Sequence, residues 1–375
     1  MIFTSGWPKI LSEPPDSHHR DMREYSQPGA SSVYSWRLKS ICLTGLFLVL
    51  LHLPLVNALS QEHTIKFATI APEGSTWMNV MRAYDAAIRK ESGGRLGFKI
   101  YPGGVQGEDK DVIKKIRIGQ LHCAGFTGVG LGEIAPKVRI LDSPFLFEKS
   151  EEVDHVYQKL QTEFEEAFLD GGYVLLGWAE VGFVYVFTNT PVRTVADMNG
   201  VKMWMWEGDP VAEATFKTFG INPIPLSVVD VLTSLQTGLI NGAYVSPYAA
   251  VALQWHTRVK YMMGVPLADA CGAVVISLKK FEALPADLRE ILLRNGEKFM
   301  RELTLKSRQE NTAAITTLKK SGISVIEVSS KKTIEEYNRL GKKARQALVG
   351  RLYDEKFLAR VEGEIQSFRA KDASK

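Results

Sequence analysis

Residues 96–126 read LGFKIYPGGVQGEDKDVIKKIRIGQLHCAGF, and the order of segments in this stretch decides the fold. LGFKIYP is rich in residues that suit a pleated, half-buried strand. A proline and two glycines then interrupt it. In EDKDVIKKIRIGQ, Val112, Ile113 and Ile116 share one side of a helix, and Gly119 closes it. LHCAGF returns to strand character. Strand, helix and strand in succession make a βαβ unit. On the N-terminal side, TIKFATI (64–70) predicts another strand, and STWMNVMRAYDAAIRKESGG (75–94) predicts a helix. Its apolar side chains Trp77, Val80, Met81, Tyr84, Ala87 and Ile88 recur at helical spacing, and Gly93-Gly94 ends it. The order β-α-β-α-β predicts an α/β protein whose mixed or parallel sheet is flanked by helices.

The pattern recurs further along. SEEVDHVYQKLQTEFEEAFLDGG (150–172) predicts one helix, and YVLLGWAE and FVYVFTN predict strands. Thr194 to Asp197 and Ser227 to Asp230 each carry the [ST]-x-x-[DE] start signal, the first opening a single turn and the second a helix ended by Gly238. INPIPL and CGAVVISLKK predict a short strand and a buried run. Residues 284–322 form one long helical stretch, with Pro285 at its start and Gly322 at its end. Leu288, Ile291, Leu292, Phe299, Leu303, Ala314 and Leu318 mark its inner face. Two α/β units and a helix long enough to cross both predict a two-lobed molecule.

The chain has 375 residues and a formal charge of +4, which allows one large or two moderate domains. Its basic side chains are scattered, so the electrostatic footprint of a nucleic-acid partner is missing. Residues 1–36 lack periodicity; Arg37, Lys39 and the apolar run ICLTGLFLVLLHLPLV (41–56) then precede Val56-Asn57-Ala58. A basic flank, an apolar core and a V-x-A end predict an export signal. His52 and Pro54 interrupt a core shorter than the ~20 residues of a spanning helix, although an uncleaved anchor is the competing reading. Met22 is a second candidate start. Segment 1–58 is excluded from the fold. Cys42 falls in that leader; Cys123 and Cys271 belong to no C-x-x-C pattern and are expected as two buried thiols rather than a disulfide.

Several chemistries have no motif. There is no phosphate loop, no H-E-x-x-H and no G-x-S-x-G. GFTGVGLGE (125–133) fails the dinucleotide pattern at Glu133 and is expected to be a loop needing close backbone approach. His63, His122, His155 and His256 are unpatterned. No cofactor, metal or catalytic group is indicated. Aromatic residues instead fall at strand ends and turns, where ligands of open α/β sheets sit. In KMWMWEGDP (202–210), Trp204 and Trp206 share one face of a strand just before a turn.

These segments resemble the solute-binding proteins of tripartite ATP-independent periplasmic (TRAP) transporters. The similarity runs through KFATIAPEGSTW, YPGGVQGEDKDVIKKIRIGQLHCAGFTGVGLGE, SPFLF, VRTVADMNGVKMW and NPIPLSVVDVLTSLQTGLINGA, and covers essentially all of 63–360. The resemblance implies two α/β lobes, a hinge and a long helix, with a ligand enclosed between the lobes and passed to a membrane permease. It implies a first lobe of 59–181 with 271–309, and a second of 182–270 with 310–375. Some relatives are accompanied by a tetratricopeptide-repeat protein, a further possible partner.

One departure bears on the ligand. Two arginines that hold an organic acid in most of the family are replaced by Val184 and Trp204, and the usual acid of a D-G pair by Asn241. A buried carboxylate without a counter-charge costs several kcal/mol. The expectation is therefore a neutral or largely apolar solute. Trp77, Thr127, Trp178, Glu180, Val184, Trp204, Glu207, Tyr244 and Tyr248 are the expected ligand-binding residues, with Trp204 as a stacking wall and Glu207 and Thr127 as polar handles. Tyr244, Tyr248 and Trp255 are expected near the seam between lobes. Competing readings are an organic-acid site built on Arg193 or Lys202, and an exported enzyme or accessory protein.

Overall fold

The computed structural model describes residues 63–374; the expected leader lies outside them. In chain order the first elements are β1 (His63–Thr69), α1 (Thr76–Glu91), β2 (Leu96–Tyr101), α2 (Asp109–Arg117), β3 (Cys123–Thr127), α3 (Gly128–Ile134), α4 (Ser150–Lys159), α5 (Gln161–Asp170) and β4 (Tyr173–Trp178). There follow β5 (Gly182–Thr188), β6 (Trp204–Trp206), α6 (Pro210–Phe219), β7 (Ile224–Leu226), α7 (Val231–Thr237), β8 (Gly242–Val245), α8 (Pro247–Ala252), β9 (Tyr261–Met263) and β10 (Ala268–Ala270). The chain ends with β11 (Gly272–Ser277), α9 (Leu278–Glu282), α10 (Ala286–Lys320), β12 (Ser324–Ile326), α11 (Lys331–Gln346) and α12 (Glu355–Asp372).

Two sheets organise these elements. The first has the order β2-β1-β3-β11-β4, with β1 parallel to both neighbours and β11 antiparallel to β3 and β4. The second has the order β10-β5-β9-β12, with β8 also on β5. A two-stranded parallel pair, β6-β7, accompanies it. The mixed sheets and two-lobed architecture agree with the sequence expectation.

Strand alternation explains why both faces of the first sheet are covered. On β11, Val274 and Ile276 enter one core cluster while Ala273 and Val275 enter the other. Successive side chains point to opposite faces, so a strand buried on both sides reads as a continuous apolar run. On β5, Val186 and Phe187 divide in the same way between two clusters of the second sheet. Helix α10 connects the two: Leu288, Leu292, Phe299 and Leu303 pack with the first sheet, and Leu318 packs with the second. Ile291, on its expected inner face, is only partly buried.

Four local expectations need correction. Residues 150–172 form two helices, because the chain breaks at Leu160, whose side chain is buried in the first sheet's core. The glycine-rich run is the short helix α3 rather than a loop. Close approach is nonetheless its cause: a Cβ on Gly128 would collide with Asp142 and Arg139. Ser227 does not cap its own turn; its hydroxyl is used elsewhere, as described below. Finally, α11 joins the second sheet's core through Tyr337 and Leu340, but Leu358, Val361 and Ile365 of α12 join the first. The segment 310–375 therefore does not pack with one sheet alone. Cys123 and Cys271 are buried free thiols, as expected.

Candidate ligand-binding site

A cavity of about 280 Å³ is walled by residues from both sheets. β1, β3 and the N-terminus of α1 form one side; β5, β6, β8, α8 and β10 form the other. Of the expected residues, Trp77, Thr127, Val184, Trp204, Tyr244 and Tyr248 lie on its wall, and so does Trp255. Trp204 is only 2% exposed. Its indole Nε1 donates to the Leu226 carbonyl at 3.0 Å. Its ring stacks on Tyr244 at 4.9 Å and meets Trp255 edge-on at 5.3 Å. Trp204 is thus the anchored back of an aromatic cluster rather than a free stacking surface. Trp206, 6.1 Å from it, is half-buried on the same wall.

Three expected residues lie elsewhere. Trp178 packs in the first core against Tyr157, Phe164 and Phe168, which leaves it off the cavity wall. Glu180 is fully buried and accepts from Arg308 of α10, with Nε at 3.0 Å, so its charge is already matched. Glu207 is exposed in the turn that follows β6 and does not line the cavity. Neither competing cation lines it: Arg193 is exposed, and the Lys202 ammonium donates to the Gly238 carbonyl at 3.1 Å.

Sequence reasoning missed Arg139. It sits in a 3₁₀ turn, Pro136–Asp142, and its guanidinium reaches the cavity wall. One terminal nitrogen donates to Asp142 and the other to Asp209, at 2.5 Å. The Asp142 carboxylate also accepts from the Cys271 backbone N–H at 2.7 Å. Asp209 Oδ1 also accepts from the Val211 N–H at 2.9 Å, which caps α6. Burial opposes the Arg139 charge, but Asp209 and Asp142 more than reverse this and hold its pKa above normal. Burial pushes the Asp142 carboxyl up, with Arg139 pulling the other way. The cavity wall therefore carries Arg139, Asp142 and Asp209, none of them among the expected ligand-binding residues. One signal was available: VRILDSPFLF places Arg139 and Asp142 three residues apart in an otherwise apolar run.

The sequence model for bacterial extracellular solute-binding protein family 7 (DctP) matches residues 67–347. The chain belongs to this family. The family consists of solute-binding proteins, not enzymes. Among curated relatives, the solute-binding protein is 26% identical over 277 residues to the 2,3-diketo-L-gulonate-binding periplasmic protein YiaO of Escherichia coli, covering 72% of this chain and 81% of the relative. It is also 26% identical over 275 residues to the C4-dicarboxylate-binding periplasmic protein DctP of Rhodobacter capsulatus, covering 71% and 80%. A TRAP periplasmic solute-binding protein from Ochrobactrum anthropi superposes with a TM-score of 0.73 at 23% identity, covering 83% of this chain and 97% of that one. Another, from Desulfovibrio salexigens with bound orotic acid, gives 0.75 at 18% identity, covering 81% and 99%. At these identities the structures establish the fold alone.

In the solute-binding protein, Glu108 links the two sides of the cavity. It precedes α2, yet its Oε1 accepts from the Ser227 hydroxyl and from the Val228 N–H at 2.9 Å. Its Oε2 accepts from Trp206 Nε1 at 3.3 Å. Glu108 thus supplies, from the first side, the cap that Ser227 was expected to give its own turn. A hydrogen bond to a charged group contributes roughly 1.5–3 kcal/mol. Glu108→Ala should make the Val228 amide exchange with solvent roughly ten- to hundredfold faster by that measure. Unchanged protection at Val228 would mean that Glu108 does not hold the two sides together.

Asp109 fixes the junction of β3 and α3. Its Oδ2 accepts from the Thr127 hydroxyl at 2.6 Å, the Thr127 N–H at 3.1 Å and the Gly130 N–H at 3.2 Å. The Thr127 hydroxyl proton is consequently committed within the protein. Burial raises the Asp109 pKa to about 6, against the pull of these three donors. A carboxyl raised on folding adds stability that is full below its unfolded pKa, near 4, and is lost as pH rises through about 6. Two pKa units correspond to at most about 2–3 kcal/mol. Asp109→Asn should remove this part of the decline: the urea-melt difference between pH 4 and pH 7 should shrink by an amount of that order. A variant with the same pH slope as the parent would contradict the assignment.

Proposed function

We propose that the chain is the extracytoplasmic solute-binding subunit of a TRAP-type transporter. It is exported by its N-terminal segment, closes two lobes on a small solute and hands that solute to a membrane permease. The solute has a largely apolar body and no free carboxylate. One observation carries this: each terminal nitrogen of Arg139 already donates to a buried carboxylate, Asp142 or Asp209. Among the described residues no other Lys, Arg or His lines the cavity. An acid ligand would have to share the guanidinium with two buried carboxylates, or displace one and face the other. Apolar walls instead contribute roughly 25 cal/mol per Å² covered. A ligand that bridges both walls prefers the closed state and so drives closure.

A second reading has a specific observation behind it. Arg139 is a cation on the wall, and relatives are named for organic acids; in that reading an acid replaces Asp209 on the guanidinium. Melting in the presence of succinate, D-glucuronate or orotate separates the two. A bound ligand at 100 times its Kd adds about 2.7 kcal/mol. No melting shift with these acids is expected; a shift of that size with any one of them would favour the second reading.

A further inference from the structure

Among the described residues the cavity wall holds one cation, Arg139, and four carboxyl groups, Asp142, Asp209, Asp269 and Glu310, of which burial pushes Asp269 well up. Arg139 pairs with two of them at once, Asp142 and Asp209. Asp209 is 7% exposed. Its Oδ1 holds the Arg139 guanidinium and the Val211 N–H, while no hydrogen bond to its Oδ2 is formed among the described residues. Asp269, fully buried in the same wall, has both carboxyl oxygens without a partner. Asp209, Trp206 and Tyr244 line the same cavity, and the Asp209 backbone N–H donates to the Trp206 carbonyl at 3.1 Å. The Tyr244 hydroxyl accepts from the Trp206 backbone N–H at 3.2 Å, and Tyr244 stacks on Trp204. Tyr244 is close enough to Asp209 to feel its charge: burial first, and then Asp209, raise the Tyr244 pKa.

A cavity-lining carboxylate with one oxygen free of hydrogen bonds, in a wall shared with tyrosine and tryptophan, suits a positively charged nitrogen. The carboxylate supplies a charge-assisted acceptor. The rings supply their negative faces, which attract a cation. Resting on the proposed non-carboxylate reading, we propose that the solute carries an ammonium group, received at Asp209 and framed by Trp206 and Tyr244, with its apolar body against the rest of the cavity.

Three probes of one shape test this: 2-phenylethylammonium, 2-phenylethanol and 3-phenylpropionate, titrated against the mature protein with tryptophan fluorescence as the readout. The ammonium should bind at least tenfold more tightly than the alcohol, and the carboxylate should not bind. Asp209→Asn should abolish the preference for the ammonium. Because Asp209 also caps α6 and pairs with Arg139, Trp206→Leu is the companion variant; it should weaken the ammonium roughly three- to thirtyfold while changing the alcohol less. An ammonium that fails to bind, or binds no better than the alcohol, overturns the inference and leaves the non-carboxylate reading standing. A carboxylate that binds best overturns both.

Discussion

Replacing Arg139 by Met should lower the unfolding free energy by about 3–5 kcal/mol, the cost typical of removing one partner from a buried ion pair. The side chain is only 4% exposed, and its departure strands Asp142 and Asp209, at 11% and 8%. The loss should depend on pH. Burial already pushes Asp142 up, and Arg139 is the largest influence pulling it down. Without the guanidinium, the folded-state pKa of Asp142 rises further above its unfolded value. A raised carboxyl stabilises below the unfolded pKa and loses that contribution as pH increases. The deficit of Arg139→Met should therefore be greatest near neutrality and shrink toward pH 4. Urea melts at the two pH values check it. A deficit independent of pH would show that the triad is not held together by charge.

Trp204→Ala should be of similar size, about 3–5 kcal/mol, because it empties a large buried volume. Trp204 touches Tyr244, Trp255 and Trp206 at once and closes the hydrogen bond to Leu226. Its removal should also loosen β6 from β7. Trp206→Ala should cost folding less, since that ring is only half-buried. The two variants separate cluster from cavity surface: Trp204→Ala should lower the melting temperature more, and Trp206→Ala should lose relatively more affinity. Equal stability losses would mean that the two rings play the same part.

Much of the fold was legible because each element carried its own signal. The long helix was bracketed by Pro285 and Gly322, and α10 runs Ala286–Lys320. The Thr194–Asp197 capping box formed as expected, with both reciprocal hydrogen bonds present. What was illegible depended on contacts between segments distant in sequence. Ser227 carried the same local signal as Thr194, but Glu108, 119 residues away, took its hydroxyl. Glycines in α3 looked like a loop because Arg139 and Asp142, which crowd them, follow later in the chain. Helix α12 follows two elements of the second sheet, yet packs in the first core.

The site was legible in outline only. Aromatics at strand ends did gather on one wall, because strand ends from both sheets meet there. Trp178 misled because its ring turns into the core formed by α4 and α5. The loss of arginines at Val184 and Trp204 was visible. The presence of another guanidinium was not, because Arg139 comes from a turn in the first half and finds its second partner, Asp209, 70 residues on.

The most direct test is a crystal structure of the protein with whatever solute it retains through purification. Arg139 should be seen still clasped by Asp142 and Asp209, with no acid group of the solute touching it. A solute carboxylate bonded to the Arg139 guanidinium, with Asp209 swung aside, would contradict the account.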